Sequence, residues 1–407
     1  MNIFKYILSG FELILFVYFG FATIYIFIYA IAGLFYKQKH KKKINKERKF
    51  AVLIPGYKED AVIVNVANEA VKQNYPSEKF EVIVIADSFK KETLKALRKL
   101  PITVVEVIFE VSKKSKALNK CMEIIGDNYD IAFILDADNI MEPDVLQKIN
   151  EAFDRGFTAV QGHRTAKNLN TSFAVLDAMS EEINNHIFRK GHRVLKMSSA
   201  LIGSGMGIDY ALFKKTMATI DSVGEDKEVE LKLIRNGHTI EYVYDAIIYD
   251  EKTQKSEVFV NQRRRWIAAQ LSYFRDYFFD GVHKLITKGN IDYFDKVLQM
   301  LLPPRILSVG IIFIITFLLF IPIFFEWGKV SNQFVINYIP WALMFTVTAF
   351  SLIISVPNKF YNKKTLKAII YIPWGFFLMV LSLLKIRGAS KKFIHTTHSH
   401  NDTIKHN

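Results

Sequence analysis

Ile131-Ala-Phe-Ile-Leu-Asp136-Ala-Asp138-Asn139 is an apolar run that ends on two carboxylates. Five apolar residues in a row suit a strand buried on both faces of a parallel sheet. In an extended chain, alternate residues point the same way, so Asp136 and Asp138 could converge on one hard cation. Mg²⁺ or Mn²⁺ held in this way keeps open positions for phosphate oxygens. The blander reading is a solvated turn after a strand, because D-x-D is a common pattern.

Outward from this run the same texture repeats. Phe50-Ala-Val-Leu-Ile, Glu81-Val-Ile-Val-Ile-Ala and Ile102-Thr-Val-Val-Glu-Val read as further buried strands. Stretches 61–73, 91–100 and 114–125 between them read as helices. This alternation predicts an α/β domain over about 50–285 with a doubly wound sheet. Ligands of such sheets lie beyond the carboxyl ends of the strands. Pro55-Gly56-Tyr57-Lys58-Glu59 and Ala86-Asp87-Ser88 close two of these strands, and Lys116-Ala-Leu-Asn lies at a helix start. Gly203-Ser204-Gly-Met-Gly207 would let backbone approach a ligand closely.

Two later segments carry side chains suited to group transfer. Gly224-Glu225-Asp226 opens a helix that stops at Asn236-Gly237. Carboxylates there are favoured by the helix dipole, so either one could simply cap, or one could be a general base toward a hydroxyl. Gln262, Arg265 and Trp266 stand at i, i+3 and i+4 of a predicted helix over 256–277, hence on one face. Arg can grip a diphosphate bidentately and Trp offers a flat face to a sugar ring. A basic helix resting on lipid head groups is the alternative.

The flanks are different in kind. Half of the 407 residues are apolar and 23% are charged, so the two must be segregated. Residues 11–36 are almost wholly apolar, long enough to cross a bilayer, and lack a cleavage site of small residues, which predicts an N-terminal anchor over 1–36. A basic linker, 37–49, follows and places the next domain in the cytoplasm, beside anionic lipid head groups. A segment over 286–305 reads as an amphipathic interfacial helix stopped by Pro303-Pro304. The region 306–388 holds two apolar spans and a third segment, 366–384, that either spans as well or is re-entrant or interfacial, the basic residues after it favouring the inside. The polar tail 389–407 contains His395, His398 and His400 without a carboxylate or Cys at metal-site spacing. The net charge of +14 sits mainly beside apolar segments, which weighs against nucleic acid as the partner. The single Cys121 excludes an intramolecular disulfide and fits a reducing compartment.

In this order the motifs resemble the family 2 glycosyltransferases with the GT-A fold, and more narrowly their membrane-integral branch with cellulose, hyaluronan and poly-N-acetylglucosamine synthases. The likeness runs over about 50–305. It implies that Pro55, Tyr57 and Glu59 belong to the first nucleotide-binding loop, that Asp87 binds the base, and that Lys116 contacts the donor. It implies that Asp136 and Asp138 hold the metal and diphosphate, with Arg265 also on the donor. Of the Glu225-Asp226 pair, Asp226 would be the catalytic base. Gln262, Trp266, Gly203 and Ser204 would meet the acceptor. Ala86 in place of a second aspartate, and a glycine-rich acceptor loop, depart from the cellulose synthases. The resemblance thus predicts a metal-dependent inverting glycosyltransferase of the inner membrane, multi-pass. It would use a nucleotide-sugar, by expectation a UDP-sugar, to extend a polysaccharide through β-linkages, with an accessory export subunit as a partner. The alternative is addition of one sugar to a lipid-linked acceptor.

Overall fold

The computed structural model describes residues 3–40, 46–222, 224–252, 256–324 and 336–384. Its centre is a sheet whose strands, among the described residues, are β1 Phe50–Tyr57, β2 Phe80–Asp87, β3 Thr103–Val107, β4 Ile131–Ile134, β5 Ile140–Met141, β6 Ala159–Ala166, β7 Met206–Asp209 and β8 Ile240–Asp250. The order across the sheet is β3-β2-β1-β4-β7-β6-β8-β5. The four strands expected from apolar runs form one parallel half, with β1 between β2 and β4. Alternate residues of these strands face opposite ways into two cores. Ala51, Leu53, Ile83 and Ile85 enter one, while Phe50, Val52, Val82 and Val84 enter the other. Continuous apolar runs follow directly from that double burial.

The expected doubly wound sheet is corrected in its second half, which is mixed. β7 runs antiparallel to both β4 and β6, while β6 and β8 are parallel with a bulge between Gly162 and His163. These strands escaped the sequence reading for a physical reason. β5 has two residues and β7 has four. β6 buries Gln161, His163 and Thr165, which have polar partners, so no apolar run marks it.

The helices Ile63–Ala70, Lys91–Leu97 and Lys114–Ile125 stand where helices were expected. The helix that starts at Ser256 runs on to Lys288, eleven residues beyond expectation. Helix Ile291–Gln299 follows, capped by Asn290.

The N-terminal helix Ile3–Gly33 joins the sheet domain to the apolar helices. Ala22, Tyr25, Ile26, Tyr29 and Ala30 pack on Ile183, Ile187 and Leu302. A Cβ on Gly191 would come within 2.2 Å of the Tyr29 carbonyl oxygen, so glycine is required for this approach. Tyr25 and Tyr29 donate hydrogen bonds to Asp295, and Tyr29 stacks on buried His192 at 3.7 Å. Further along, Phe19 packs with Ile312, Leu319, Trp341 and Met344 of helices Arg305–Phe324 and Tyr338–Ile354.

Among the described residues, one helix stretch, Ser9–Gly33, is long and apolar enough by itself to cross a membrane. Arg305–Ile321 and Tyr338–Ile354 are shorter apolar helices. The segment expected at 366–384 is a pair, Lys363–Ile369 and Ile372–Leu384, bent by 47°. The basic and histidine-bearing tail lies outside the described residues.

Candidate active site

β1 and β2 end side by side, with Tyr57 in register with Asp87. The next residue of each strand takes a left-handed conformation, Lys58 at φ 56° and Ser88 at φ 60°. Non-glycine residues there carry strain that the surrounding structure must hold, a feature of ligand-binding turns. The Lys58 amide donates to the Asp87 carbonyl at 3.1 Å, and the Ser88 hydroxyl donates to the buried Asp87 carboxylate at 2.9 Å. Pro55 and Tyr57 are half-buried at this rim and Glu59 is buried.

Asp136 and Asp138 do not continue β4 as an extended chain. β4 ends at Ile134, and the Asn139 amide donates to the Asp136 carbonyl at 3.0 Å, which closes a turn. Turn geometry, not the alternation of an extended strand, therefore sets where these two carboxylates lie. Ser204, fully buried, pins the turn. Its hydroxyl accepts from the Asp136 amide at 3.0 Å and donates to Asn139 Oδ1 at 2.5 Å. Asn139 in turn donates to Asp250 at 2.9 Å. The Ser204 hydroxyl, expected against the acceptor, is thus engaged with the carboxylate turn. Buried Gln161 braces the same loop from below, bonding the Ser204 carbonyl at 2.9 Å and the Ile202 amide at 3.1 Å.

Lys114 is the lysine that touches the carboxylate turn, while Lys116, the residue expected on the donor, lies away from it. Lys114 Nζ donates to Asp136 Oδ1 at 2.5 Å and to the Gly203 carbonyl at 2.7 Å, and lies 3.6 Å from Glu225 Oε1. Lys116, two residues on, is turned about 200° round the helix and contacts the Val111 carbonyl at the surface. Burial works against the Lys114 charge, but Asp136, Glu225 and Asp226 outweigh it and raise the pKa, so the ammonium stays protonated. Gly203, at φ 79°, forms the opposite wall. A Cβ there would meet Asp226 Oδ2 at 3.5 Å and Lys114 Nζ at 3.6 Å.

Glu225 and Asp226 open helix Glu225–Arg235, but neither caps it. The cap position is Gly224, and Asp226 Oδ1 accepts from the Lys227 amide at 2.9 Å. Tyr273 of the long helix holds the entry by donating to the Gly224 carbonyl at 2.9 Å. Arg265, on the same long helix, faces this pair. Burial lowers its pKa, while Glu225 and Asp226 raise it in opposition. Trp266 is 43% exposed and carries the Arg263 guanidinium over its ring at 4.4 Å. Arg263 is also paired with Asp177 at 2.8 Å. The side chain of Gln262 lies outside the described residues.

Burial, the largest cause, pushes Glu225 up to about 7; Lys114 pulls it down, and Asp226 and Asp136 push it further up. Folded Glu225 therefore keeps a proton that the unfolded chain, at the ordinary value of 4.5, has released. Its stabilising contribution is complete below that ordinary value and is lost as pH rises through the folded one. Glu225→Gln imitates the protonated form. The variant should melt above the wild type at about pH 8, with the gap closing toward about pH 5. Thermal melts of both proteins across this range check it, and a gap independent of pH would contradict the assignment.

Among the described residues, no three His, Cys, Asp or Glu side chains converge as a ligand set for a metal ion. The donor chemistry nonetheless fits a hard cation completed by substrate. Two carboxylates on one pinned turn, Asp138 at 6% exposure and Asp136 at the mouth, match the one or two that Mg²⁺ takes beside phosphate oxygens.

With the pocket described, comparison places it among known proteins. A probable glycosyltransferase, YdaM, of Bacillus subtilis (strain 168) is 26% identical over 246 residues, covering 56% of this chain and 56% of its own. A beta-monoglucosyldiacylglycerol synthase of Nostoc sp. (strain PCC 7120) is 24% identical over 260 residues, covering 61% and 55%. The chain thus spans about half the length of the curated relatives it matches. The mannosyltransferase PcManGT of Pyrobaculum calidifontis, solved with GDP-Man and Mn²⁺, superposes with a TM-score of 0.53 over 90% of this chain and 99% of its own. At 14% identity that likeness shows a shared fold. The model of Glycosyltransferase like family 2 matches residues 47–269, more than half of the sequence, and the chain belongs to that family.

Proposed function

We propose that this chain is an inverting glycosyltransferase that moves a sugar from a nucleotide-sugar to an acceptor held at the membrane. The observation that carries the reading is the meeting of Asp226 and Lys114 at Gly203, with Asp136 bonded to Lys114 and Arg265 facing Asp226. Asp226 takes the proton of the acceptor hydroxyl. The oxygen bonds to the anomeric carbon as the bond from that carbon to the diphosphate oxygen breaks on the opposite face. The electron pair departs with the nucleoside diphosphate, whose charge Lys114 and Arg265 offset. One displacement turns an α-linked donor into a β-linked product. Asp138, with Asp136, would hold a Mg²⁺ or Mn²⁺ ion, which when bound neutralises diphosphate charge. Tyr57 and Asp87, at the paired strand ends, bind the nucleoside.

The membrane part of the reading rests on Ser9–Gly33 and on the apolar side chains it leaves outward, such as Phe11, Ile14, Val17 and Ile24. Helices Arg305–Phe324 and Tyr338–Ile354 pack beside it and complete a multi-pass anchor, with the basic linker setting the catalytic domain in the cytoplasm. For the acceptor, the Nostoc relative's name favours a diacylglycerol-type lipid. Extension of a polysaccharide, with an export partner, is the second reading and rests on Arg265 facing the Glu225-Asp226 pair with the half-exposed Trp266 next to it in sequence. Detergent-solubilised protein incubated with UDP- and GDP-sugars, with diacylglycerol and without, should form a product of defined mass in Mg²⁺ or Mn²⁺ and none in EDTA. Mass spectrometry separates a single sugar on lipid from a ladder of sugars. Full activity in EDTA removes the metal from the reading, and no turnover of any donor overturns it.

A further inference from the structure

Helix Lys363–Ile369 packs against helix Ser172–Asn184, and a cavity of about 430 Å³ opens beside them, well apart in sequence from the carboxylate pocket. Leu169, Val175 and Phe360 line it with apolar surface, and Lys363 and Lys364 stand at its rim. The rim's other polar groups are already engaged, since Asn362 Oδ1 accepts from the Thr365 amide at 3.0 Å as the helix cap. Nearby Lys359 is also taken, by Glu182 at 2.8 Å and Thr165 at 3.1 Å. Among the described residues, no hydrogen bond or ion pair joins Lys363 or Lys364 to a neighbour.

The surroundings narrow the occupant. The same helix leaves Leu366 and Ile370 outward at 68% and 75% exposure, and the next helix, bent from it by 47°, leaves Trp374 and Phe377 outward. Exposed lysines beside outward apolar residues mark a boundary between head groups and acyl chains. The chain's own tail is an unsuitable cover, because Lys385, Arg387, Lys391 and Lys392 repeat the rim's charge. An amphiphile with an anionic head complements both parts.

We propose that this cavity is a binding site for an anionic phospholipid, with an acyl chain against Leu169, Val175 and Phe360 and the phosphate on Lys363 and Lys364. It rests on the membrane reading above, and it is independent of which sugar or acceptor the enzyme uses. Glu181 and Glu182 of the helix that walls the cavity pair with Arg164, His163 and Lys359.

The test places the full chain in nanodiscs of phosphatidylcholine with a minor share of phosphatidylglycerol, followed by native mass spectrometry of retained lipid. Wild type should retain phosphatidylglycerol roughly tenfold above its bulk share, as two lysines at an anionic head group allow. Lys363→Gln with Lys364→Gln should fall to the bulk ratio, while Lys95→Gln with Lys99→Gln, equal in charge and remote, should not. Leu169→Trp fills the cavity with both lysines intact and should lower retained lipid of either kind. Enrichment that survives the paired Gln variant, retention that survives Leu169→Trp, or equal binding of both lipids by wild type overturns the site alone. A chain that fails to enter nanodiscs overturns the membrane reading with it.

Discussion

Asp226→Asn should abolish turnover and leave the fold and the nucleotide affinity in place. The substitution keeps the shape of the side chain and the Oδ1 atom that accepts from the Lys227 amide at 2.9 Å. The helix start does not depend on this residue, because Gly224 occupies the cap and Tyr273 holds its carbonyl. What Asn cannot do is accept the acceptor proton as oxygen attacks. Loss of a positioned base costs about a hundred- to ten-thousand-fold in rate. The melting temperature should therefore stay close to that of the wild type, and UDP should bind with similar affinity, since the diphosphate meets Lys114 and Arg265 instead. Melting, UDP binding and turnover are measured on the same preparation. Turnover near wild type would reduce Asp226 to a structural carboxylate, and lost UDP binding would move it to the donor side.

Half of the sheet and several pocket residues are legible in the amino-acid sequence. The parallel half of the sheet announced itself because both of its faces are covered, so that Ala51 through Ile54 and Val82 through Ile85 are all apolar. The Glu225-Asp226 pair stood out because two carboxylates open a helix after a glycine, and Arg265 because it shares a helix face with Gln262 and Trp266 in the sequence. Three features were not legible. Gln161 and Ser204 act through hydrogen bonds made 43 residues apart, and neither residue type in isolation signals such a partner. The turn at Asp136–Asn139 depends on where β4 stops, and strand ends are poorly marked when the residues beyond, Leu135 and Ala137, are also buried. The choice between two lysines two residues apart needs the exact start of a helix, since one residue of shift rotates the face by about 100°.

That choice is settled best by function. Lys114→Met should cripple the enzyme where Lys116→Met leaves it almost unchanged. Methionine keeps the apolar stem that lies along the pocket and removes only the ammonium. Lys114 touches Asp136, Gly203 and Glu225 together, so its loss leaves these carboxylates and Asp226 with only the more distant charges of Arg265 and Arg164 to offset them. Two consequences follow in the same direction. The leaving diphosphate loses a preorganised positive charge, which costs about a hundred- to a thousand-fold in kcat when one such donor is removed. Glu225, which Lys114 pulls down, is driven to hold its proton to still higher pH. The pH profile of Lys114→Met should therefore shift as well as fall, a change that simple loss of packing would not produce. Lys116 reaches the Val111 carbonyl at the surface and lies near Asp221, and its removal should change kcat by no more than about twofold, the usual reach of a surface substitution. Steady-state rates over a pH series on both variants, with melting temperatures as the control, decide the matter. Equal effects of the two substitutions, or a larger loss in Lys116→Met, would return the donor lysine to the position that the sequence alone suggested.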